Sequence, residues 1–173
     1  MPYEFEEILE TIKMTEIEHF DIRTVTLGIS LRDCSDRNIA VTTQKIYEKI
    51  TRYGQAHVSL AQEVERKYGI SIANKRVSVT PIAIAGDAFG IDEFVKIAET
   101  LDKAAGEIGI DYLAGYSALV QKGFTNGDLN LIKSIPSALS LTKKVCSSVN
   151  IASTKAGINM DAINMMADVI KET

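Results

Sequence analysis

Within residues 21–34, DIRTVTLGISLRDC, small or polar residues alternate with apolar ones from Thr24 to Arg32. One set is Val25, Leu27, Ile29 and Leu31, and the other is Thr24, Thr26, Gly28, Ser30 and Arg32. Because successive side chains of a strand point to opposite faces, this pattern predicts a strand over about 22–31 with one apolar face and one small, polar face. The strand leads directly into Arg32-Asp33-Cys34, which places charged and reactive groups at its carboxyl end.

A strand followed by a helix recurs through the rest of the chain. Further strands are predicted within 70–84, over 110–120 and over 144–151. The polar side of the first of these consists of Arg76, Ser78 and Thr80, and that of the last consists of Cys146, Ser148 and Asn150. In the middle strand the alternation groups Tyr112, Ala114, Tyr116 and Ala118 on one side. Helical spacing predicts a first helix over 3–18. A helical region then runs from a cap at Ser35 or Asp36 to Tyr68. Further helices are predicted over 91–107, over 128–135 with Pro136 as the stop, and from Met160 onward. Four such units in succession predict an α/β fold with a mainly parallel sheet and right-handed crossovers.

The polar strand faces favour a particular arrangement of the helices. Strands of a doubly wound sheet are usually apolar on both faces, since helices cover both. Here at least three of four strands have one polar face, which indicates helices on one side and a polar concavity on the other, as in a wall of a β/α barrel. A closed eight-stranded barrel needs about 250 residues. Residues 1–173 are therefore predicted to be a single α/β domain forming an incomplete barrel, whose open edges need another segment or chain.

Composition excludes several classes of function. The formal net charge of -4 argues against a nucleic-acid partner. No apolar run approaches the roughly 20 residues that span a membrane. The acidic start, MPYEFEEILE, is unlike a signal peptide, so Cys34 and Cys146 are expected to be free thiols in the cytoplasm. With only two histidines and no P-loop spacing, the chain offers no recognisable metal-ligand or nucleotide motif, and no cofactor is identified.

Three stretches of the chain, RTVTLGISLRDC, NKRVSVTPIAI and SSVNIASTKAGINMDAIN, resemble the N-terminal region of uncharacterised protein family 0210 (domain of unknown function 711). The resemblance covers essentially the whole chain. It implies a fold similar to pyruvate formate-lyase, a large barrel built from two parallel half-barrels, and it implies that family members continue well past the position of Thr173. It brings no established reaction. The chain has no radical-loop motif, and radical chemistry does not follow from the fold.

Candidate site residues are expected at the carboxyl ends of the strands, where function gathers in parallel α/β folds. At the first end, Arg32 suits a carboxylate or phosphate, and Cys34 near a helix N-terminus suits a lowered thiol pKa. With Asp33, these two are the candidates for catalysis. The alternative is that Asp33 caps the helix, Arg32 pairs with it, and Cys34 packs as a small hydrophobe.

Three further groups are candidates for binding. A lumenal Arg76, near Thr80, needs an anion, which either a substrate or a carboxylate on a neighbouring strand provides. Lys122 follows the third strand and is either a ligand or a solvated loop lysine. The stretch Ser153-Thr154-Lys155-Ala156-Gly157 joins a strand to a helix, and is either an anion cradle or a capped turn without a ligand.

These candidates predict a small anionic ligand in a polar lumen. The ligand-binding set is Ser30, Arg32, Arg76, Thr80, Lys122, Ser153, Thr154, Lys155 and Gly157. Three functions stay open. The first is an enzyme acting on a small anionic metabolite. The second is a non-catalytic sensor, which is compatible with the lack of a recognisable base–nucleophile pair. A third is a structural half-barrel that acts through assembly, either as a homo-oligomer or with a complementary half-barrel chain.

Overall fold

The computed structural model of the chain describes residues 5–17 and 21–173, and of Thr15 only the backbone. Its elements in order are α1 (Phe5–Ile12) with a π-helical extension (Lys13–Ile17), β1 (Val25–Ile29), a 3-10 turn (Arg32–Cys34), α2 (Ile39–Gly54), α3 (His57–Tyr68), β2 (Lys75–Val79), α4 (Ile82–Ala85), α5 (Ile91–Ile108), β3 (Tyr112–Leu119), α6 (Asn126–Leu141), β4 (Val145–Asn150), β5 (Ala152–Ser153), β6 (Gly157–Ile158) and α7 (Met160–Glu172). The ends of the first predicted helix, at residues 3, 4 and 18, lie outside the described residues.

The main sheet is parallel, and its strands stand in the order β1-β2-β3-β4. Each strand therefore pairs with the next strand along the chain. Because crossovers between parallel strands are right-handed, three crossovers that advance in one direction place their helices on one face of the sheet. The predicted α/β fold with a mainly parallel sheet is confirmed.

The two faces of the sheet differ in burial as the alternation predicts. Val77, Val79, Leu113 and Val145 belong to the hydrophobic core under the helices. The opposite side, which we call the open face, is exposed or half-buried apart from Ser117. The open face consists of Thr24, Thr26, Gly28, Ser30, Arg76, Ser78, Thr80, Tyr112, Ala114, Ser117, Leu119, Cys146, Ser148 and Asn150.

A β-bulge in β3 reverses part of the predicted alternation. The register between β3 and β4 shifts between Ala114 and Tyr116, and Gly115 between them has φ +125. The prediction that Tyr116 shares a side with Ala114 is therefore wrong: Tyr116 is fully buried on the helical side, with its hydroxyl hydrogen-bonded to Ser134 of α6. The extra residue returns Ser117 to the open face, opposite Ser148.

Two predicted boundaries are corrected, and a third is placed more narrowly within its predicted range. The fourth main helix, α6, runs through Pro136 to Leu141, because its buried face continues past the proline at Ala138 and a capping box at Thr125 holds its start. The cap of α2 is Asn38, whose side chain accepts the N–H of Ala40, and not Ser35 or Asp36. The strand predicted within 70–84 ends at Val79, after which residues 82–85 form α4.

Helix α5 lies at the centre of the helical layer. It packs against both α2 and α6 and contacts β3 and β4. Its buried residues include Phe94, Ile97 and Leu101, all within the core cluster. The Asp102 carboxylate of α5 accepts the N–H groups of Lys143 and Lys144 at 2.9 and 2.7 Å, which fixes the start of β4. This helix therefore connects the helical layer to the sheet.

Candidate functional site

The carboxyl end of β1 carries a surface ion pair between Asp33 and Lys49. Asp33 accepts a hydrogen bond from Lys49 of α2, and this bond holds the pKa of Asp33 below its usual value. The predicted alternative in which Arg32 pairs with Asp33 is therefore not realised. Arg32 is exposed, and it makes no hydrogen bond or ion pair with another residue of the described ranges.

Cys34 does not have the environment of a reactive thiol. It is 3% exposed and belongs to the hydrophobic core. Burial, and secondly the charge of Asp33, raise the pKa of the Cys34 thiol, whereas the catalytic hypothesis required a lowered pKa. That hypothesis is wrong in this respect, and the alternative of a small packed hydrophobe describes the residue.

The two thiols should differ sharply in reactivity. Because the thiolate is the reactive form, a raised pKa leaves less of it at any given pH. Cys34 is buried and Cys146 is exposed and free. We expect a disulfide reagent at pH 8 to label one thiol per native chain rapidly, and two per chain in denaturant. Cys146→Ser serves as the control and should abolish the rapid phase. Rapid labelling of the Cys146→Ser chain in its native state would contradict the assignment.

Thr80 and Ser30 meet where β1 and β2 end. The Thr80 hydroxyl oxygen accepts the N–H of Leu31 at 3.0 Å, so it joins the ends of the two strands. Ser30 is exposed on the open face beside it. Thr80 thus has a structural partner, while its hydroxyl proton is left to bind a ligand.

The end of β3 presents one exposed lysine and one enclosed amide. Lys122 is exposed, in accord with a solvated loop position, while the Gln121 side-chain oxygen is buried without a hydrogen-bond partner in the described chain. Tyr116 of the same strand is structural, since it is fully buried and its hydroxyl pairs with Ser134, and burial raises its pKa to about 12. Asn159 donates to the Val120 carbonyl at 2.7 Å and ties the end of the strand to the start of α7.

The predicted cradle at residues 153–157 is a small hairpin. Strands β5 and β6 pair antiparallel, with Ser153 opposite Gly157. The Ala156 N–H, which the cradle hypothesis leaves open, donates to the Ser153 hydroxyl at 3.0 Å. Helix α7 begins at Met160, as predicted, with Asn159 as its cap. Thr154 and Lys155 stay exposed in the hairpin.

Arg76 is the one predicted site residue with a buried side-chain atom that lacks a hydrogen-bond partner in the described chain. It lies on the open face between Thr26 of β1 and Tyr112 of β3, its partners in the register. The guanidinium lies over the Tyr112 ring, 5.5 Å from its centre. Its Nε is buried and has no hydrogen-bond partner among the residues described. The neighbouring-strand carboxylate that was the alternative to a ligand is absent there, because both partners are uncharged.

The candidates do not form one cluster. Arg76 is the second residue of β2, whereas Arg32 and the 153–157 hairpin lie beyond the carboxyl ends of β1 and β4. Thr26, the register partner of Arg76, is followed by three more residues of β1, about 10 Å at 3.3 Å per residue, and Arg32 lies in the turn beyond them. The two guanidinium groups therefore belong to different parts of the sheet. The structure divides the predicted set into a site on the open face and a separate edge.

Sequence reasoning missed Tyr112 and Lys49. Tyr112 stacks with Arg76 only because β2 and β3 pair Arg76 with Tyr112, and register is not visible in one strand's alternation. Lys49 reaches Asp33 from α2, 16 residues further on. Its signal was available, since Lys45 and Lys49 lie one turn apart on the helix that follows Asp33 and Asp36.

No helix in the described part of the chain is long and apolar enough to cross a membrane. Within residues 5–17 and 21–173, no group of three or more His, Cys, Asp and Glu side chains is arranged to hold a metal ion.

Fold and site together define an α/β protein with four parallel strands in sequential order and an unpaired arginine on its polar sheet face. The chain belongs to the family described as Uncharacterised ACR (DUF711), whose sequence profile matches residues 13–173. The resemblance drawn from the three motifs is thereby confirmed.

Its relatives include three UPF0210 proteins. The one from Acetivibrio thermocellus is 56% identical over 99% of this chain, that from Halothermothrix orenii 54% over 99%, and that from Methanosarcina mazei 58% over 96%. In each case the match spans 37% of the relative. The chain thus corresponds to little more than a third of the length of these proteins.

Proposed function

We propose that the open face binds a small anionic metabolite and that Arg76 anchors it. The observation that carries this proposal is the Arg76 guanidinium, which has a buried, unpartnered Nε and no counter-charge on the neighbouring strands. An unsatisfied buried donor costs about 1–3 kcal/mol, and more when the group is charged. A carboxylate or phosphate on the guanidinium removes that cost through charge-assisted hydrogen bonds.

The surroundings of Arg76 specify the rest of the ligand. The next row across the sheet consists of small side chains, Gly28, Ser78, Ala114 and Cys146. Beyond it lie the hydroxyl groups of Ser30, Thr80, Ser117 and Ser148, with no cation among them. The ligand class is therefore a molecule with a single anionic group and an uncharged, hydroxylated body, such as a hydroxy acid or a sugar phosphate, and not one with an anionic group at each end.

The open face becomes a lumen if the sheet is part of a half-barrel. Sequential parallel strands with helices on one face are the arrangement of a β/α-barrel wall, which supports this interpretation. The greater length of the relatives provides a second segment to enclose the face. The exposed, unpaired Cys146 is in keeping with a cytoplasmic protein. This face has no base–nucleophile pair, so binding is the activity that its residues support, and turnover would need catalytic groups from another segment or chain.

Ligand-induced thermal stabilisation tests the proposal. The purified chain is melted with lactate, glycerol 3-phosphate, succinate or uncharged glycerol. A ligand present at about 100 times its Kd stabilises by about 2.7 kcal/mol, which for a chain of this size raises Tm by about 5–10 °C. We expect lactate or glycerol 3-phosphate to raise Tm more than succinate, and glycerol to have no specific effect.

A matched arginine variant serves as the control. Arg76→Met should abolish the shift, whereas Arg52→Met should keep it, because Arg52 also lies over a tyrosine, at 5.7 Å from the Tyr53 ring, but on helix α2 and away from the open face. Equal shifts in the two variants, or no shift with any anion in the parent chain, would overturn the proposal. A shift with no turnover in assays of the same probes supports a sensor, and product formation supports an enzyme.

Assembly through the sheet edges is a second candidate function. Strands β1 and β4 are at the two ends of the four-stranded order, so each pairs on one side only within the described sheet. Such edges are normally paired or covered. We expect β1 or β4 to pair with a second copy or with a complementary half-barrel chain. Amide hydrogen exchange tests this: protection of the outward N–H groups of β1 or β4 that rises with protein concentration supports edge pairing, and unprotected edges at all concentrations contradict it.

A further inference from the structure

Helix α1 has an exposed apolar face. Phe5 and Leu9 are 73% and 49% exposed, and Ile8 between them is also exposed. These residues lie on one side of the helix at spacings of three and four, with Ile17 exposed beyond them. A contiguous apolar surface of this kind is typical of a protein interface.

The charges around this face limit what can cover it. Glu6 and Glu10 border it, and Glu16 follows in the π-helical extension. An acidic border repels an anionic lipid surface. It also repels the same helix of a second copy, because α1 against α1 brings like charges together. The border therefore fits a helix with an apolar stripe and basic neighbours.

Helix α3 presents such a surface on the same chain. Leu60, Val64 and Tyr68 recur every four residues, and all three are exposed, Leu60 by 57% and Tyr68 by 63%. The last turn of α3 is basic, with Arg66 and Lys67. The stripe runs from residue 60 to residue 68, about 12 Å, and the α1 face from Phe5 to Ile12 is about 10 Å long at 1.5 Å per residue. The two surfaces match in length and polarity. The basic last turn of α3 complements the acidic border of α1, whereas the middle of the stripe carries Glu63 beside Val64.

We propose that α1 of one copy packs antiparallel against α3 of a second copy, and that the exchange is reciprocal. The antiparallel direction places Glu6 and Glu10 of α1 toward the basic end of α3, and Leu9 near Val64. Both surfaces are exposed within one chain, so α1 does not cover its own α3 in the structure. Two identical α1–α3 contacts close a twofold dimer, which leaves neither stripe open.

Site-directed cross-linking tests the contact. One chain carries Leu9→Cys and the other Val64→Cys, both in a Cys146→Ser background, because Cys34 is buried. When the two are mixed and mildly oxidised, we expect a disulfide-linked heterodimer joined between positions 9 and 64. Since each chain has one introduced thiol, this product arises only between copies. A disulfide between position 9 of one chain and position 9 of another would overturn the proposal. So would a yield of cross-linked dimer no higher than that of an Ile170→Cys control on α7.

Sedimentation velocity provides the second measurement. We expect a dimer of the parent chain, and about a 100-fold weaker dimer for Leu60→Asp, because two contacts each lose about tenfold. Ile8→Asp on α1 should have a similar effect. Ile170→Asp, at an equally exposed apolar position on another helix, should leave the dimer unchanged. A parent chain that stays monomeric, or a dimer that survives both Leu60→Asp and Ile8→Asp and so forms through the sheet edges, would overturn the proposal. All three substituted positions are exposed, and unchanged melting curves establish that the variants fold.

Discussion

Replacing Gly115 with alanine should destabilise the fold by about 3 kcal/mol or more. Gly115 has φ +125, a conformation that costs a residue with a Cβ about 1–3 kcal/mol. A Cβ built there lies 2.6 Å from the Val79 carbonyl oxygen and 2.5 Å from its side chain, so the backbones of β2 and β3 must separate as well. Overpacking of this kind adds about 1–3 kcal/mol. Urea denaturation measures the effect as a lowered midpoint.

Gly106→Ala is the control for Gly115→Ala. Gly106 is in α5, and a Cβ there has no neighbour within 4 Å. Alanine in a helix is favoured over glycine by about 0.5–1 kcal/mol, so this variant should be slightly more stable than the parent. If alanine lowers the urea midpoint at position 115 and raises it at position 106, the loss of stability at position 115 is due to the bulge. An unchanged midpoint for Gly115→Ala would mean that β3 pairs without the bulge.

Leu101→Ala should cost about 3–5 kcal/mol. Leu101 is fully buried in α5, where the helix contacts both α2 and α6. Removing its side chain loses the transfer free energy of the apolar atoms and leaves a cavity that a helix held on both sides closes poorly. We expect a lower urea midpoint with an unchanged slope, since the loss lies in the native packing.

Leu141→Ala is the matched control for Leu101→Ala. Leu141 ends α6 and is exposed, so the same truncation should change the free energy of unfolding by less than about 0.5 kcal/mol. A comparable loss at positions 101 and 141 would contradict the central position assigned to α5. A small loss at both would indicate that the helical layer is loosely packed.

Alternation predicted the faces of β1 because one side of that strand is buried and the other is not. Thr26 and Gly28 are exposed, while Ile29 is in the core, as the period of two requires. The same rule failed in β3, where Gly115 adds one residue to the strand and shifts every later side chain to the other face. A glycine within a strand is compatible with a bulge or with an ordinary pleat, so its sequence does not decide between them.

The length of α6 depended on tertiary packing that a local rule does not include. Pro136 lacks the N–H that a helix interior uses, which is why a stop was predicted. Ile135 and Ala138 are nevertheless both buried, and their packing continues on either side of the proline. The hydrophobic contacts of the following turn outweigh one missing hydrogen bond.

The candidate site was predictable in type but not in grouping. That Arg76 lies on the polar side of its strand followed from alternation alone. Its contact with Tyr112, and its separation from Arg32, depend on register and on the point at which each strand ends. The sequence left two interpretations of Cys34 open, because the burial that favours the packed hydrophobe and raises the pKa of the thiol comes from residues distant in sequence.

The sequential strand order has a consequence for how the chain is built during synthesis. Each strand finds its partner in the one that left the ribosome just before it, so no later segment has to insert between strands already paired. Pairing between successive units keeps the loops that must close short, which favours folding unit by unit from the N-terminus. A longer polypeptide can then extend the sheet at β4 while β1 to β3 keep every hydrogen bond they have made. The arrangement thus permits growth by whole strand–helix units, with the part made first serving as the template for the next.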